Sequence, residues 1–256
     1  MIASMSQSSE SDDSVGPVEL HAHLLPAVDD GCRTVEESID CARILVANGY
    51  THACCTPHVM PQFPENNRAG IVRRVAALQR EYDAAEVGLK LVPGGEMNLM
   101  SVLEEGELRL EEVVSYGMLG KWVLFDFWTE SPEAVERWVT PGVEKLREAG
   151  YELLLAHPER ISVLQRVPAV LDGLVGRGVK LQLNAWCLAE RPGARVREYA
   201  EKWLTAGRYH VLATDLHRID GMEIRMNGVR RAEELVGVEG VAEMMKRARG
   251  VAGIEG

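Results

Sequence analysis

From residue 18 onward the chain alternates short apolar runs with longer stretches whose apolar positions recur at helical spacing. Short apolar runs bounded by Gly, Pro or Asn predict buried strands, and the periodic stretches between them predict helices. The opening run, Val18-Glu-Leu-His-Ala-His-Leu-Leu25, is turned by Pro26 and Gly31. Successive side chains of a strand point to opposite faces, so His21 and His23 project to one side while Leu20, Ala22 and Leu24 line the other. Thr34, with Glu37 three residues on, reads as a capping box for a helix to about Asn48, ended by Gly49. Further strands are predicted at residues 51–56, 89–96, 122–127, 151–156, 179–184 and 210–215. Helices are predicted at about 69–86, 131–149, 161–175, 194–206 and 227–248. Pro61, Pro64 and Asn66 make residues 59–67 a loop placed to cover a site.

Strand and helix therefore alternate at least seven times with no linker. Parallel neighbours need crossover connections, which implies an α/β fold with a parallel sheet and helices outside it. Closed into a barrel, such a sheet places its active site at the C-terminal ends of the strands. Residues 1–16, rich in Ser and Asp, are expected to be a disordered tail, leaving 17–256 as a single domain.

The predicted strand ends carry His21, His23, Asp30, His58, Glu96, Asp126, His157, Asp215 and His217, five of the seven histidines among them. His52 and His210 fall near strand starts and read as structural or exposed. Alone, each member has an ordinary role open to it: Glu96 as a helix cap, Asp126 as a partner of a lysine. Together they do not, because burying so many acids without cations costs several kcal/mol per unpaired charge, of order roughly 3–5. Five imidazoles and four carboxylates exceed the needs of one ion and suggest two or three divalent ions. Mixed N/O ligation without thiolate favours manganese, iron or zinc over calcium.

Charge and cysteine content narrow the chemistry. The net charge of −11 and the absence of a long Lys/Arg run argue against nucleic acid and anionic membrane partners. No apolar stretch has the length of a membrane span, and the N-terminus lacks a secretory signal, so the expected location is cytoplasmic. Five cysteines with no C-x-x-C spacing suggest neither a disulfide framework nor a thiolate zinc site. None is followed six residues later by Arg, which removes the phosphate loop of cysteine-dependent phosphatases.

Five segments, His21 to Gly31, Thr56-Pro-His58, Gly94-Gly-Glu96, His157-Pro-Glu-Arg160 and Asp215-Leu-His217, resemble in order the motifs of the polymerase-and-histidinol-phosphatase (PHP) superfamily. Within it they resemble the manganese-dependent bacterial tyrosine phosphatases of capsule and exopolysaccharide synthesis. The resemblance runs from about residue 18 to 220. It implies a distorted (β/α)7, TIM-like barrel with a trinuclear site. It further implies a first metal held by His21, His23, Glu96 and Asp215, a second by bridging Glu96 with Asp126 and His157, and a third by Asp30, His58 and His217. Arg160 matches the arginine that contacts phosphate in similar proteins. The implied partner is a phosphotyrosine protein such as a bacterial tyrosine kinase; a homo-oligomer stays open.

The sequence departs from that pattern at three points. Asp126 stands where Glu is usual, Glu19 stands where Asp is more often seen, and Met222 occupies the position of a second phosphate-binding arginine. Arg218 or Arg225 would have to replace it, and spacing does not choose between them. The expected chemistry is phosphomonoester hydrolysis by a metal-bridging hydroxide, with Arg160 on the phosphoryl oxygens and His58, His217 or Asp30 assisting leaving-group departure. Rival readings are a small-molecule phosphatase of the histidinol phosphate kind, an amidohydrolase and a catalytically silent metal-binding module. Trp122, Trp128 and Trp186 flank proposed site segments, with packing around an aromatic substrate open to them and core or rim packing as their expected role.

Overall fold

Nine short strand segments surround one centre: β1 (Val18–Ala22), β2 (His52–Cys55), β3 (His58–Val59), β4 (Lys90–Pro93), β5 (Glu96–Asn98), β6 (Trp122–Asp126), β7 (Glu152–Ala156), β8 (Lys180–Asn184) and β9 (Val211–Ala213). They come from a computed structural model that describes residues 16–189 and 193–254. The expected disordered tail, apart from Gly16, lies outside the described residues.

Every strand pair is parallel, in the orders β1-β2-β4 and β3-β5-β6-β7-β8-β9. The two sheets are halves of one ring. β2 and β3 form a single run interrupted at Thr56-Pro57, where proline has no N–H to give a neighbour. β4 and β5 form another, interrupted at Gly94-Gly95. Backbone bonds carry the pairing across both breaks, from Gly94 N to Cys55 O at 2.9 Å and from Glu96 N to Pro57 O at 3.0 Å. Glycine is required at the second break: a Cβ on Gly95 would lie 2.7 Å from Val59 and 2.9 Å from Val114. At the opposite seam His23 N donates to Leu216 O at 2.7 Å and Leu216 N to His21 O at 3.3 Å, joining the chain beyond β9 to β1. The result is a distorted (β/α)7 barrel.

The helices outside are α1 (Val35–Ala47), α2 (Arg68–Ala84), α3 (Leu99–Glu105), α4 (Pro132–Ala134), α5 (Thr140–Glu148), α6 (Ser162–Arg166), α7 (Pro168–Gly176), α8 (Ala194–Thr205) and α9 (Met222–Ala252). Thr34 caps α1 by accepting the Glu37 N–H at 3.2 Å, while the Glu37 carboxylate accepts Arg33 N–H rather than closing the box on Thr34. The helix expected over 161–175 is two helices, because Pro168 disfavours helical backbone at Val167, whose φ is −126°. The stretch expected as one helix over 131–149 begins with α4 and reaches α5 through a π turn at Val135–Val139. The last helix starts at Met222, earlier than its apolar periodicity suggests, and is broken at Gly237 (φ 80°).

Leu20 does not share a cluster with Ala22 and Leu24, because a pairing irregularity between Glu19 and Ala22 turns β1 partway along. Leu20 packs with Leu124, Leu154 and Val211 and with Ala248 and Val251 from the end of α9. Ala22 and Leu24 pack with α1 and α2. Fully burying one such leucine contributes about 2 kcal/mol, so both ends of β1 are fixed, and with them the two histidines.

Candidate metal centre

The ring brings its ligand-type residues together at the C-terminal ends of its strands. Donor atoms within 4.8 Å of one another form three groups: His21, His23 and Glu96; Glu96, Asp126 and His157; and His23, Asp30, His58 and His217. Glu96 joins the first two groups. Its Oε1 meets His157 Nε2 at 2.7 Å, while its Oε2 lies 3.3 Å from His21 Nε2, 3.5 Å from His23 Nε2 and 3.0 Å from His58 Nδ1. Asp215 Oδ1 lies 3.3 and 3.5 Å from the same two imidazole nitrogens but stands outside their three-residue group. Asp30 Oδ1 spans His58 Nε2 at 3.3 Å and His217 Nε2 at 3.4 Å. His23 stacks on His217 at 4.0 Å, which links the third group to the first.

A second layer of hydrogen bonds orients these side chains. Asp29 Oδ2 accepts His23 Nδ1–H at 2.7 Å and His58 N–H at 3.1 Å, and its Oδ1 accepts Gly31 N–H at 3.0 Å. With its Nδ1 proton held there, His23 presents a lone pair at Nε2. His217 Nδ1 is likewise tied to the Asp215 carbonyl at 3.0 Å. Gln182 Nε2 lies 2.9 Å from His21 Nδ1 and its Oε1 has no partner. A half-turn of that amide lets Oε1 accept Nδ1–H and frees His21 Nε2 as a ligand. Asn98 donates to Asp126 Oδ1 at 3.0 Å, and Asn184 to Asp215 Oδ2 at 2.7 Å. None of these amides is marked by sequence, since buried Asn and Gln in strands are common. Asp29 alone carried a signal, as the neighbour of Asp30 in the Asp-Asp-Gly turn.

The electrostatics call for cations. Glu96 Oε2, Asp126 Oδ2, His157 Nδ1 and Asp215 Oδ1 are buried with no hydrogen-bond partner. Such orphaned acceptors are costly in a native interior. Burial and the Glu96 charge push the Asp126 carboxyl well above its usual range. Burial also raises Glu96 and Asp215, but the imidazoles, His21 first in each case, override it and hold both well below. Burial lowers His58, and the Asp30 and Glu96 carboxylates more than reverse it, taking it to about 10. The His217 and His58 hydrogen bonds hold Asp30 down. Divalent ions would neutralise these buried carboxylates, and the N/O donor set fits such ions.

A cavity of about 330 Å³ opens over the groups, lined by Asp30, His58, Glu96, His157, Asp215 and His217 together with Arg160, Arg225, Trp128 and Trp186. Arg160 donates to Asp215 Oδ2 at 3.2 Å. Arg225, buried, donates to the carbonyls of Thr214, Asp215 and Gly221. Arg218 is not at this cavity: its guanidinium pairs with Glu37 on α1 at 3.2 Å. Met222 is buried in the apolar cluster beneath α1 and α2. The 59–67 loop does not line the cavity either. Asn66 ties it to the carbonyls of Val28 and His58, and it borders a separate groove of about 970 Å³.

The sequence profile of a family described as capsular polysaccharide synthesis, CpsB/CapC, matches residues 17–246. Tyrosine-protein phosphatase YwqE of Bacillus subtilis is 27% identical over 202 residues, 79% of this chain and 78% of that protein. Tyrosine-protein phosphatase CpsB of Streptococcus agalactiae is 22% identical over 208 residues, 79% of this chain and 84% of that protein. Among solved structures, those of YwqE from Bacillus subtilis and CpsB from Streptococcus pneumoniae, described as unique metal-dependent tyrosine phosphatases, include a chain that aligns with a TM-score of 0.79 at 23% identity, covering 93% of this chain and 95% of that one. The phosphotriesterase homology protein of Escherichia coli, with phosphate in its active site, aligns with a TM-score of 0.55 at 11% identity over 93% of this chain and 98% of that one, a likeness of fold.

Proposed function

Because the chain belongs to the CpsB/CapC family of capsular polysaccharide synthesis, we propose that it is a metal-dependent phosphomonoesterase acting on phosphotyrosine in proteins. The observation that carries this reading is the meeting of three donor groups, with their orphaned carboxylate oxygens, and two arginines around one cavity. The named phosphatase relatives support it. The catalytic unit would be residues 17–256, acting in the cytoplasm on a phosphotyrosine protein such as the tyrosine kinase of an exopolysaccharide system. Among the described residues no helix is long and apolar enough to cross a membrane.

His21, His23, Glu96 and Asp215 would hold one ion, Glu96, Asp126 and His157 a second, and Asp30, His58 and His217 a third with His23 beside them. Manganese is the first candidate, with iron and zinc compatible with the same donors. Ions so held supply Lewis-acid stabilisation of phosphoryl oxygens and a lowered pKa for water. Arg160 spends one donor on Asp215 and keeps the rest of its fork for phosphate oxygens. Arg225 uses Nε–H and one N–H on each terminal nitrogen for backbone carbonyls, so each terminal nitrogen has one N–H left, and the residue lines the cavity. It thereby takes the place that Met222 cannot. A phenolate leaving group, with a reference pKa near roughly 10, needs little protonation. His58, His217 and Asp30 line the cavity, and one of them left uncommitted to the third ion would assist departure of the leaving group.

Purified H23A and E96A, supplied with manganese, should lose at least about a hundredfold in p-nitrophenyl phosphate hydrolysis, along with bound metal. Undiminished turnover in either variant overturns the reading. A higher kcat/KM for histidinol phosphate than for a phosphotyrosine peptide would move the substrate to the small-molecule class.

A further inference from the structure

We propose that Trp128 and Trp186 form an aromatic wall that selects aryl over alkyl phosphate esters, a specificity role that rests on the phosphatase reading above. Every other residue lining the 330 Å³ cavity is charged or an imidazole. Among the described residues the two indoles are the only apolar side chains lining it, so they are the apolar surface it offers to the organic part of a bound ester. They reach the cavity from matching positions in the fold. Trp128 is the second residue past the end of β6 and Trp186 the second past β8.

Both rings sit beside the group that would hold the phosphate. The Arg160 guanidinium carbon lies 5.2 Å from the centre of the Trp128 ring and 5.9 Å from that of Trp186, within cation–π range of each. An ester whose phosphoryl oxygens rest on Arg160 therefore carries its first organic atoms past the indole faces. Trp128 is 47% exposed, although its ring also stacks on His157 at 5.8 Å, so a large apolar face is left to water at the mouth of a charged cavity. A phenyl ring can lie on such a face and displace that water. A short polar alkyl group cannot. The backbone N–H of Trp186 donates to Asn184 Oδ1 at 3.0 Å, which fixes the turn that carries its ring to the cavity.

A purely structural role for the indoles, that of holding Arg160 in place, predicts a different result. Loss of the arginine's position would weaken all phosphate esters alike, whereas loss of an aromatic wall weakens only esters with a ring. W128A, W186A and the conservative W128F and W186F are assayed with manganese on phenyl phosphate and on glycerol 3-phosphate, with kcat and KM separated and metal content measured alongside. Each alanine variant is expected to lower the ratio of aryl to alkyl kcat/KM about fivefold to tenfold, through KM for the aryl ester. Each phenylalanine variant is expected to restore most of it. Equal losses on both esters, or an unchanged ratio, overturn the proposal and leave the phosphatase reading standing. Wild-type protein that hydrolyses neither ester overturns both.

Discussion

Asp29 binds no metal in the proposed arrangement, yet replacing it with Asn should strip metal from the groups that share His23. All three of its partners are donors: His23 Nδ1–H at 2.7 Å, His58 N–H at 3.1 Å and Gly31 N–H at 3.0 Å. Burial raises the Asp29 carboxyl, but the His23 imidazole outweighs it and keeps the pKa below the ordinary aspartate value. Only a carboxylate accepts on both oxygens, so an amide must turn its NH2 toward one of these donors.

Either orientation is damaging. With the amide nitrogen at the Oδ2 position, His23 Nδ1 must accept, and its proton moves to Nε2, the atom 3.2 Å from His21 Nε2 and 3.5 Å from Glu96 Oε2. A protonated Nε2 cannot ligate. With the nitrogen at Oδ1, it opposes Gly31 N–H and loosens the turn that carries Asp30. Second-layer losses of this kind cost about 10- to 100-fold in metal affinity, or about 1.4–2.7 kcal/mol. Competition of D29N and wild type against a chelator of known manganese affinity measures the difference, with circular dichroism as the check on folding. A D29N protein that is folded and within threefold of wild-type affinity would refute the role given to Asp29.

Glu96→Gln and Asp126→Asn should differ in how much metal they lose: Glu96 presents one oxygen to each of two groups, so E96Q is expected to release about two ions per chain where D126N releases about one, counted by mass spectrometry. Equal losses would contradict the bridging position. Glu19 is fully buried and accepts N–H from His21 at 2.9 Å and from Thr214 at 3.0 and 3.2 Å, tying β1 to the chain end of β9. E19A leaves two buried donors unpaired and should destabilise the protein by about 2–5 kcal/mol in urea titrations; a loss below about 1 kcal/mol would show the seam is held by other contacts. Burial raises the Glu159 carboxyl to about 7 from 4.5, so the folded state keeps its proton longer than the unfolded one. That contribution is complete below pH 4.5 and is lost as pH rises through 7, a swing of about 3 kcal/mol. E159Q, which cannot ionise, should therefore gain in melting temperature relative to wild type across that window, and a difference that stays flat with pH would rule the carboxyl out as its source.

The barrel and the gathering of ligand-type residues at its strand ends were legible because both are written in local pattern. Strand ends carrying His or an acid recur along the chain, and the two-residue spacings His21-x-His23 and Asp215-x-His217 send paired side chains the same way. The helix break at Pro168 was equally local but was masked by apolar periodicity running through it. What was not legible depends on partners far apart in sequence. Gln182 meets His21 across 161 positions, and Glu19 meets Thr214 across 195. A strand sequence shows that Gln182 is polar and does not show which imbedded neighbour it faces. The tryptophans illustrate the same limit, since an indole near a strand end is ordinarily rim packing until a cavity of charged groups is seen beside it.

That Arg225 and not Arg218 lines the cavity follows from backbone geometry. His157 and Asp215 both adopt left-handed backbone, with φ of 34° and 52°, conformations that side-chain-bearing residues hold only when their surroundings impose them. At Asp215 the constraint is visible. The Arg225 guanidinium clamps the Asp215 carbonyl through Nε at 3.0 Å and Nη2 at 2.7 Å, and the Thr214 carbonyl through Nε at 2.9 Å. The same turn presents Asp215 Oδ1 to His21 and His23 and places His217 beside Asp30. An arginine that must reach those carbonyls has to come from the first turn of α9, three residues beyond Met222, after the 3₁₀ turn at Ile219–Gly221 has redirected the chain. Arg218 precedes that turn and points to Glu37 on α1 instead. Position relative to the turn, and not distance along the chain, therefore decides which guanidinium lines the cavity, and the proposed phosphate contact of Arg225 would be coupled to the backbone that aims Asp215 and His217.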